Sequence, residues 1–132
     1  MKLLSILRTP DQLTFLQKAG ADGILLGIED LSYRIPTYSV DQAVDIQCKA
    51  KALGLDVFLY LNRLLDEDEI EGAKSQLMNL DPSLYSGIYF QDLAYAEFCK
   101  GNNIPLIYAP EAIITSSKEV EVLCSNLPFF IQ

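Results

Sequence analysis

Hydrophobic residues in this chain fall into short unbroken runs separated by stretches with helical spacing. The central run is Asp56-Val57-Phe58-Leu59-Tyr60-Leu61-Asn62, apolar or aromatic from Val57 to Leu61 without polar alternation. A strand with one face in water alternates, whereas a strand covered on both faces reads as a continuous apolar run. Helical periodicity returns at once in Leu64-Leu65-Asp66-Glu67-Asp68-Glu69-Ile70. The predicted unit is therefore a buried parallel strand, a short loop and a helix. Asn62 then stands at the carboxyl end of the strand, where folds of this kind place their chemistry.

The same unit recurs along the chain. Leu3-Leu4-Ser5-Ile6-Leu7 predicts a first strand, and Thr9-Pro10-Asp11-Gln12 a helix start with Thr9 as N-cap and Pro10 in the first helical position. Leu13, Leu16 and Ala19 follow at helical spacing, and Gly20 supplies the left-handed residue that ends many helices. Ile24-Leu25-Leu26-Gly27-Ile28 is the second strand; Gly27 fits either a close approach by another group or, more plainly, a bulge or tight packing. The loop from Glu29 to Tyr38 is longer than an ordinary strand-to-helix connection, which points to a functional loop. Ser39 or Asp41 caps a helix to about Leu53, with Val40, Ala43, Val44 and Ala50 inward, and Gly54 stops it.

After the central strand, a helix is expected from about Asp66 to Leu80, with Ile70, Ala73, Leu77 and Leu80 as its stripe. Its acidic run, Asp66 to Glu69, reads as solvated charge on the positive end of the helix dipole rather than a metal site. Gly87-Ile88-Tyr89-Phe90 is the fourth strand, ending in Gln91-Asp92, and a short helix covers about Leu93 to Lys100. Pro105-Leu106-Ile107-Tyr108 is the fifth strand. Thr115 or Ser116 caps a last helix, and Leu127 to Gln132 reads as a sixth strand. Alternating strands and helices imply a parallel sheet wrapped by helices. The candidates are a flavodoxin-like open sheet and part of a (β/α)₈ barrel. The expected fold class is α/β: parallel β/α units forming a partial or truncated TIM-like barrel of about six strands. Residues 1–132 form one domain, read as the N-terminal portion of a larger barrel.

Composition narrows the function. A formal net charge of −8 and no Lys/Arg stripe disfavour binding nucleic acid by phosphate neutralisation. No apolar run reaches the roughly 20 residues of a membrane span. The start, Met1 to Arg8, is too short in its apolar part for a signal peptide and lacks a small-residue cleavage site. Cys48, Cys99 and Cys124 match neither a disulfide framework nor a CxxC metal site and suit a reducing cytoplasm; Cys48 and Cys99, in helical patterns, read as core-packing thiols. With no histidine, His-activated nucleophiles and His-based metal sites are absent from the chain.

If the strands are parallel, Glu29, Asn62, Gln91, Asp92 and Glu111 gather at one rim, and convergent polar groups there make a site hypothesis. Glu29 and Glu111 would serve as general acid and base, and Arg34 would hold a carboxylate or phosphate by a bidentate contact. A helix cap accounts better for Asp92, and caps or turn-favouring strand ends account equally well for Asn62 and Glu111.

Three stretches carry a resemblance: Ala19-Gly20-Ala21-Asp22-Gly23-Ile24-Leu25-Leu26-Gly27, then Tyr60-Leu61-Asn62-Arg63-Leu64-Leu65-Asp66-Glu67-Asp68-Glu69, then Gly87-Ile88-Tyr89-Phe90-Gln91-Asp92-Leu93. In order and spacing they resemble the N-terminal region of the peptidase U32 family, whose patterns are GADAVYLGG, LNTLL-D-E-L and a strand closed by QD. The family's following LPxHAS strand corresponds to Ile104-Pro105-Leu106-Ile107-Tyr108-Ala109-Pro110-Glu111, so Tyr108 replaces its histidine. The resemblance implies an incomplete or modified TIM barrel and a peptidase or hydrolase. Some family members act in hydroxylation of RNA or of the ubiquinone ring, and several carry an iron–sulfur cluster on cysteines outside the matched region. By this resemblance Asn62, Gln91 and Asp92 match strand-end positions, and Arg34 an arginine of the second loop. The catalytic candidates are thus Glu29, Glu111 and Asp92, and the substrate-binding candidates Arg34, Asn62, Gln91 and Tyr108. No metal or cofactor is expected within this chain. Expected partners are a peptide or small molecule, with nucleic acid disfavoured by charge but admitted by the family. No membrane is expected, and a homodimer through exposed sheet edges is. The alternative is a non-catalytic TIM-like regulatory domain resembling the glycerol uptake operon antiterminator family, which binds a small phosphorylated ligand.

Overall fold

The apolar runs lie side by side in one parallel sheet. In this computed structural model, which describes residues 1–100, 102–111, 114–126 and 130–131, the strands are β1 (Leu4–Ile6), β2 (Gly23–Ile28), β3 (Thr37–Tyr38), β4 (Asp56–Leu61), β5 (Gly87–Phe90), β6 (Leu106–Tyr108) and β7 (Phe130–Ile131). The helices are α1 (Gln12–Lys18), α2 (Val40–Ala52), α3 (Ile70–Met78), α4 (Ala94–Phe98) and α5 (Ser117–Asn126). The sheet runs β1-β2-β4-β5-β6-β7, with β3 beside β2, and each pairing is parallel. A flavodoxin-like sheet reverses its strand order part-way. Here the order follows the chain, so the β/α units form a partial TIM-like barrel.

The two sheet faces differ. Ile24, Leu26, Ile28, Val57, Leu59, Leu61, Ile88, Phe90 and Leu106 share one buried cluster with the helix residues Leu13, Ala43, Ile46, Ala50, Ala73, Leu77 and Tyr95. The opposite face carries a smaller cluster of Phe58, Tyr89 and Ile107, with Leu4, Leu25, Tyr60 and Ala109 against it. Among the described residues this second cluster is built from the strands and from Ala109, which follows β6. The continuous apolar run of β4 thus arises because successive residues alternate between a helix-covered face and a face the strands cover themselves.

Local signals set the boundaries. At the end of α1, Ala21 N–H donates to the Leu16 carbonyl (3.0 Å) and Gly20 N–H to that of Gln17 (3.2 Å). Gly20 sits at φ 87°, completing a Schellman turn. Gly54 (φ 74°) does the same for α2, with Leu55 N–H on the Ala50 carbonyl (2.9 Å). Ser39 and Gln42 form a capping box at the start of α2. The acidic run is a cap rather than a metal centre: Asp66 and Glu69 form a second capping box over a 3-10 turn at Glu67–Glu69. Ser116 Oγ accepts from Glu119 N–H (3.1 Å) before α5.

Several expectations need correction. α1 starts at Gln12, with Asp11 as a residue lacking a side-chain cap bond, because Thr9 and Pro10 form a turn whose carbonyls accept from Gln12 and Leu13. Of the two cysteines expected in the core, Cys99 is buried but Cys48 is exposed, as is Cys124. The 3.6-residue period of α2 turns Ala43, Ile46, Gln47 and Ala50 inward, so Cys48 points out. Thr37–Tyr38, expected to be loop, is a strand that continues the line of β1 alongside the end of β2, pairing Gly27 with Thr37. Of the expected sixth strand, Phe130–Ile131 pairs with β6, while Leu127 to Phe129 and Gln132 lie outside the described residues.

Candidate functional site

Because all strands point one way, their carboxyl ends meet the loops that follow them at a single rim. Asn62 and Gln91, each the first residue after its strand, stand on the sheet-face side by the alternation of β4 and β5, and Gln91 N–H donates to the Leu61 carbonyl (3.3 Å). A cleft of about 350 Å³ opens there, walled by Tyr33, Asn62, Arg63, Leu64, Gln91 and Glu111. Three of the residues singled out from the sequence (Asn62, Gln91 and Glu111) therefore share one cleft.

The loop from Glu29 to Pro36 forms one wall and is tied down from β4 and α3. Asn62 clamps it: Tyr33 N–H donates to Asn62 Oδ1 (2.8 Å), and Asn62 Nδ2 donates to the Tyr33 carbonyl (3.0 Å). The carboxamide thus acts as a local strand partner. Ser32 Oγ accepts from Ile28 N–H (2.9 Å) and donates to the Tyr60 carbonyl (2.5 Å). Arg63 donates to the Asp30 carbonyl (2.8 Å) and to Glu69 Oε1 (2.6 Å). Gln76 Nε2 reaches the Glu29 carbonyl (2.6 Å). These ties hold Asp30 (φ 65°) and Arg34 (φ 59°) in the left-handed region, which non-glycine residues enter at a cost. Gly27 makes the fit, since a Cβ there would meet the Pro36 carbonyl oxygen and lie 2.8 Å from Ile35 Cδ1. Of the two readings of Gly27, tight packing is the one realised, by the chain's own Ile35–Pro36 segment.

The remaining candidates sit as follows. Arg34 is exposed, its guanidinium 5.1 Å from the Tyr33 ring centre. Its pKa is raised, first by a hydrogen bond to Tyr33 and further by the charges of Tyr33 and Glu111. Glu111 is exposed. Both Asp92 oxygens accept backbone N–H bonds, from Leu65 and from Ala94 at 2.9 Å each, so this carboxylate joins two loops. Glu29 is exposed at the end of β2 and is not among the residues walling the cleft, so it is not brought together with Glu111 there. Tyr108 lies half-buried on the helix-covered face, its ring 5.5 Å from that of Phe90. Tyr33, Arg63 and Leu64 wall the cleft without having been singled out; their signal was adjacency in sequence to Arg34 and Asn62.

Electrostatics favour the ties already described. Glu69 is held below the usual carboxylate range, first by Asp66 N–H and then by Arg63. Burial pushes the Cys99 thiol up to about 11. Each cysteine belongs to a different part of the fold: Cys48 is on α2, Cys99 follows α4 and Cys124 is on α5. Among the described residues no group of three His, Cys, Asp or Glu side chains is placed to hold a metal ion, and no helix is long and apolar enough to cross a membrane.

Comparison with known proteins agrees with this architecture. Among solved structures, one reported as "The Structure of the U32 Peptidase Mk0906" superposes with a TM-score of 0.65 at 17% identity, over 83% of this chain and 48% of that one. That likeness shows the fold, and the chain spans about half the length of that relative. No curated protein matches the chain. The model of peptidase family U32 matches residues 8–127. With a match from just after the first strand to beyond the last helix, on a sheet of the same architecture, the chain belongs to peptidase family U32.

Proposed function

We propose that this chain is the N-terminal β/α portion of a cytoplasmic U32-type hydrolase that receives a peptide at the carboxyl-end rim of its sheet. The observation that carries this reading is the cleft in which Asn62, Gln91 and Glu111 meet. Glu111 is the carboxylate among the residues walling it. In this role it takes a proton from water as the oxygen attacks the peptide carbonyl, then returns that proton to the leaving amine. The Gln91 carboxamide supplies a donor for the carbonyl oxygen as charge develops on it. Asn62 acts through Tyr33 rather than on substrate, because both ends of its carboxamide hold the Tyr33 backbone. Arg34 reaches the substrate's carboxylate, and exposed Tyr33 and Leu64 offer apolar contact.

The test is peptide binding followed through the backbone amides of Leu64 and Gln91, with hydrolysis measured in parallel. Glu111→Gln is expected to abolish turnover while peptide still binds, and Gln91→Ala to weaken both. Shifts confined to residues away from the rim, or turnover untouched by Glu111→Gln, would overturn the assignment. A second reading, a regulatory domain for a small phosphorylated ligand, is favoured by the exposed Arg34 guanidinium at the rim. Inorganic phosphate that binds the chain and is lost on Arg34→Ala would support it; phosphate indifferent to that change would remove it.

A further inference from the structure

Beside the rim cleft lies a second, larger one of about 500 Å³, between the Glu29–Pro36 loop and α3. The two share Tyr33 and Arg63 as walls, so they adjoin. On its far side this larger cleft is bounded by Gly72, Ala73 and Gln76 of α3. Gly72 is unusual. It is the third residue of α3, with a 3-10 turn before it, so it lies within a helical stretch where glycine is the least favourable residue after proline. The fold gives it no internal reason: its φ is not in the left-handed region, and a Cβ there would meet nothing within 4 Å. What its missing side chain leaves is open space in the cleft.

We propose that the larger cleft is a second subsite for the same extended peptide, with Gly72 providing clearance for a side chain next to the segment held at the rim. This rests on the peptide reading given above. Charge selects the occupant. Asp30 and Glu69 line the cleft, and its guanidinium, that of Arg63, is bound to Glu69 and to the Asp30 carbonyl. A phosphodiester is therefore repelled, whereas an apolar or basic side chain fits among Leu31, Leu65 and the two carboxylates.

The experiment compares the wild-type chain with Gly72→Leu, using the dipeptide Ala-Lys and a decapeptide with the same pair at its centre. Gly72→Leu adds volume where no atom stands and raises helix propensity, and a thermal melt checks that the fold is kept. The expected result is a decapeptide affinity weakened about tenfold or more, with the dipeptide within about twofold of wild type. Equal binding of the decapeptide by both proteins overturns the second subsite and leaves the rim reading standing. Failure of both peptides to bind the wild-type chain removes the rim reading and this one with it. A single-stranded RNA oligonucleotide that binds in their place and is lost on Gly72→Leu overturns the peptide assignment of the cleft.

Discussion

Removing the Asn62 carboxamide tests how the rim is built. Asn62→Ala deletes two hydrogen bonds, 2.8 Å and 3.0 Å long, between the end of β4 and the Tyr33 backbone. A hydrogen bond of this kind contributes about 0.5–1.5 kcal/mol net, so the pair is worth about 1–3 kcal/mol. Tyr33 is 54% exposed, so its freed N–H and carbonyl regain water, and the expected loss falls in the lower half, about 1–2 kcal/mol. Urea unfolding should show a lower midpoint at unchanged slope, and Tyr33 amide exchange should accelerate more than that of β4. Asn62→Asp adds a pH dependence. Its carboxyl still accepts from Tyr33 N–H in both protonation states, but only the protonated form donates to the Tyr33 carbonyl. The folded state then raises the pKa of this Asp above its unfolded value of about 4. The deficit relative to wild type should be smallest below that unfolded value and grow as pH rises through the folded one. An Asn62→Ala chain with wild-type midpoint and wild-type Tyr33 exchange would refute the clamp.

Three further outcomes follow from the packing. Gly27→Ala should destabilise by about 1–3 kcal/mol by urea unfolding, because its Cβ meets the Pro36 carbonyl and Ile35; an unchanged midpoint would mean the loop does not rest on β2. Gln47 is fully buried on α2, with neither carboxamide atom partnered among the described residues, so Gln47→Leu should raise stability by about 1–3 kcal/mol; a loss would show that its amide is satisfied in solution. Thiol labelling of the native chain at pH 8 should modify Cys48 and Cys124 rapidly and Cys99 only on unfolding, since burial holds its thiol near 11; rapid labelling of Cys99 would contradict its packing.

The architecture was readable because its signals are local. Gly20 and Gly54 end helices through bonds to residues within five positions, Ser39 caps with Gln42 three residues away, and Asp56 to Leu61 announces its own burial. What escaped depends on distant partners. Thr37–Tyr38 is too short for any period to register and pairs only because β1 stops at Ile6. Asn62 reads equally as a substrate contact or a strand-ending residue in the sequence, and only the fold brings it to Tyr33, 29 positions away. Gln47 occupies an inward position of α2 that its polarity disguises. Glu29 and Glu111 were paired on chemistry alone, and the rim seats only Glu111 in the cleft.

The monotonic order of the strands bears on how such a molecule comes into being. Along the main path from β1 (the two-residue β3 lies off it, beside β2) each strand docks on the edge of the one before it in that path, so no strand of the path must insert between two already formed. Neighbour-only docking means that each new pairing forms beside one already made. Growth of this kind keeps loop closures short, and it leaves the latest strand as the template for whatever chain arrives next.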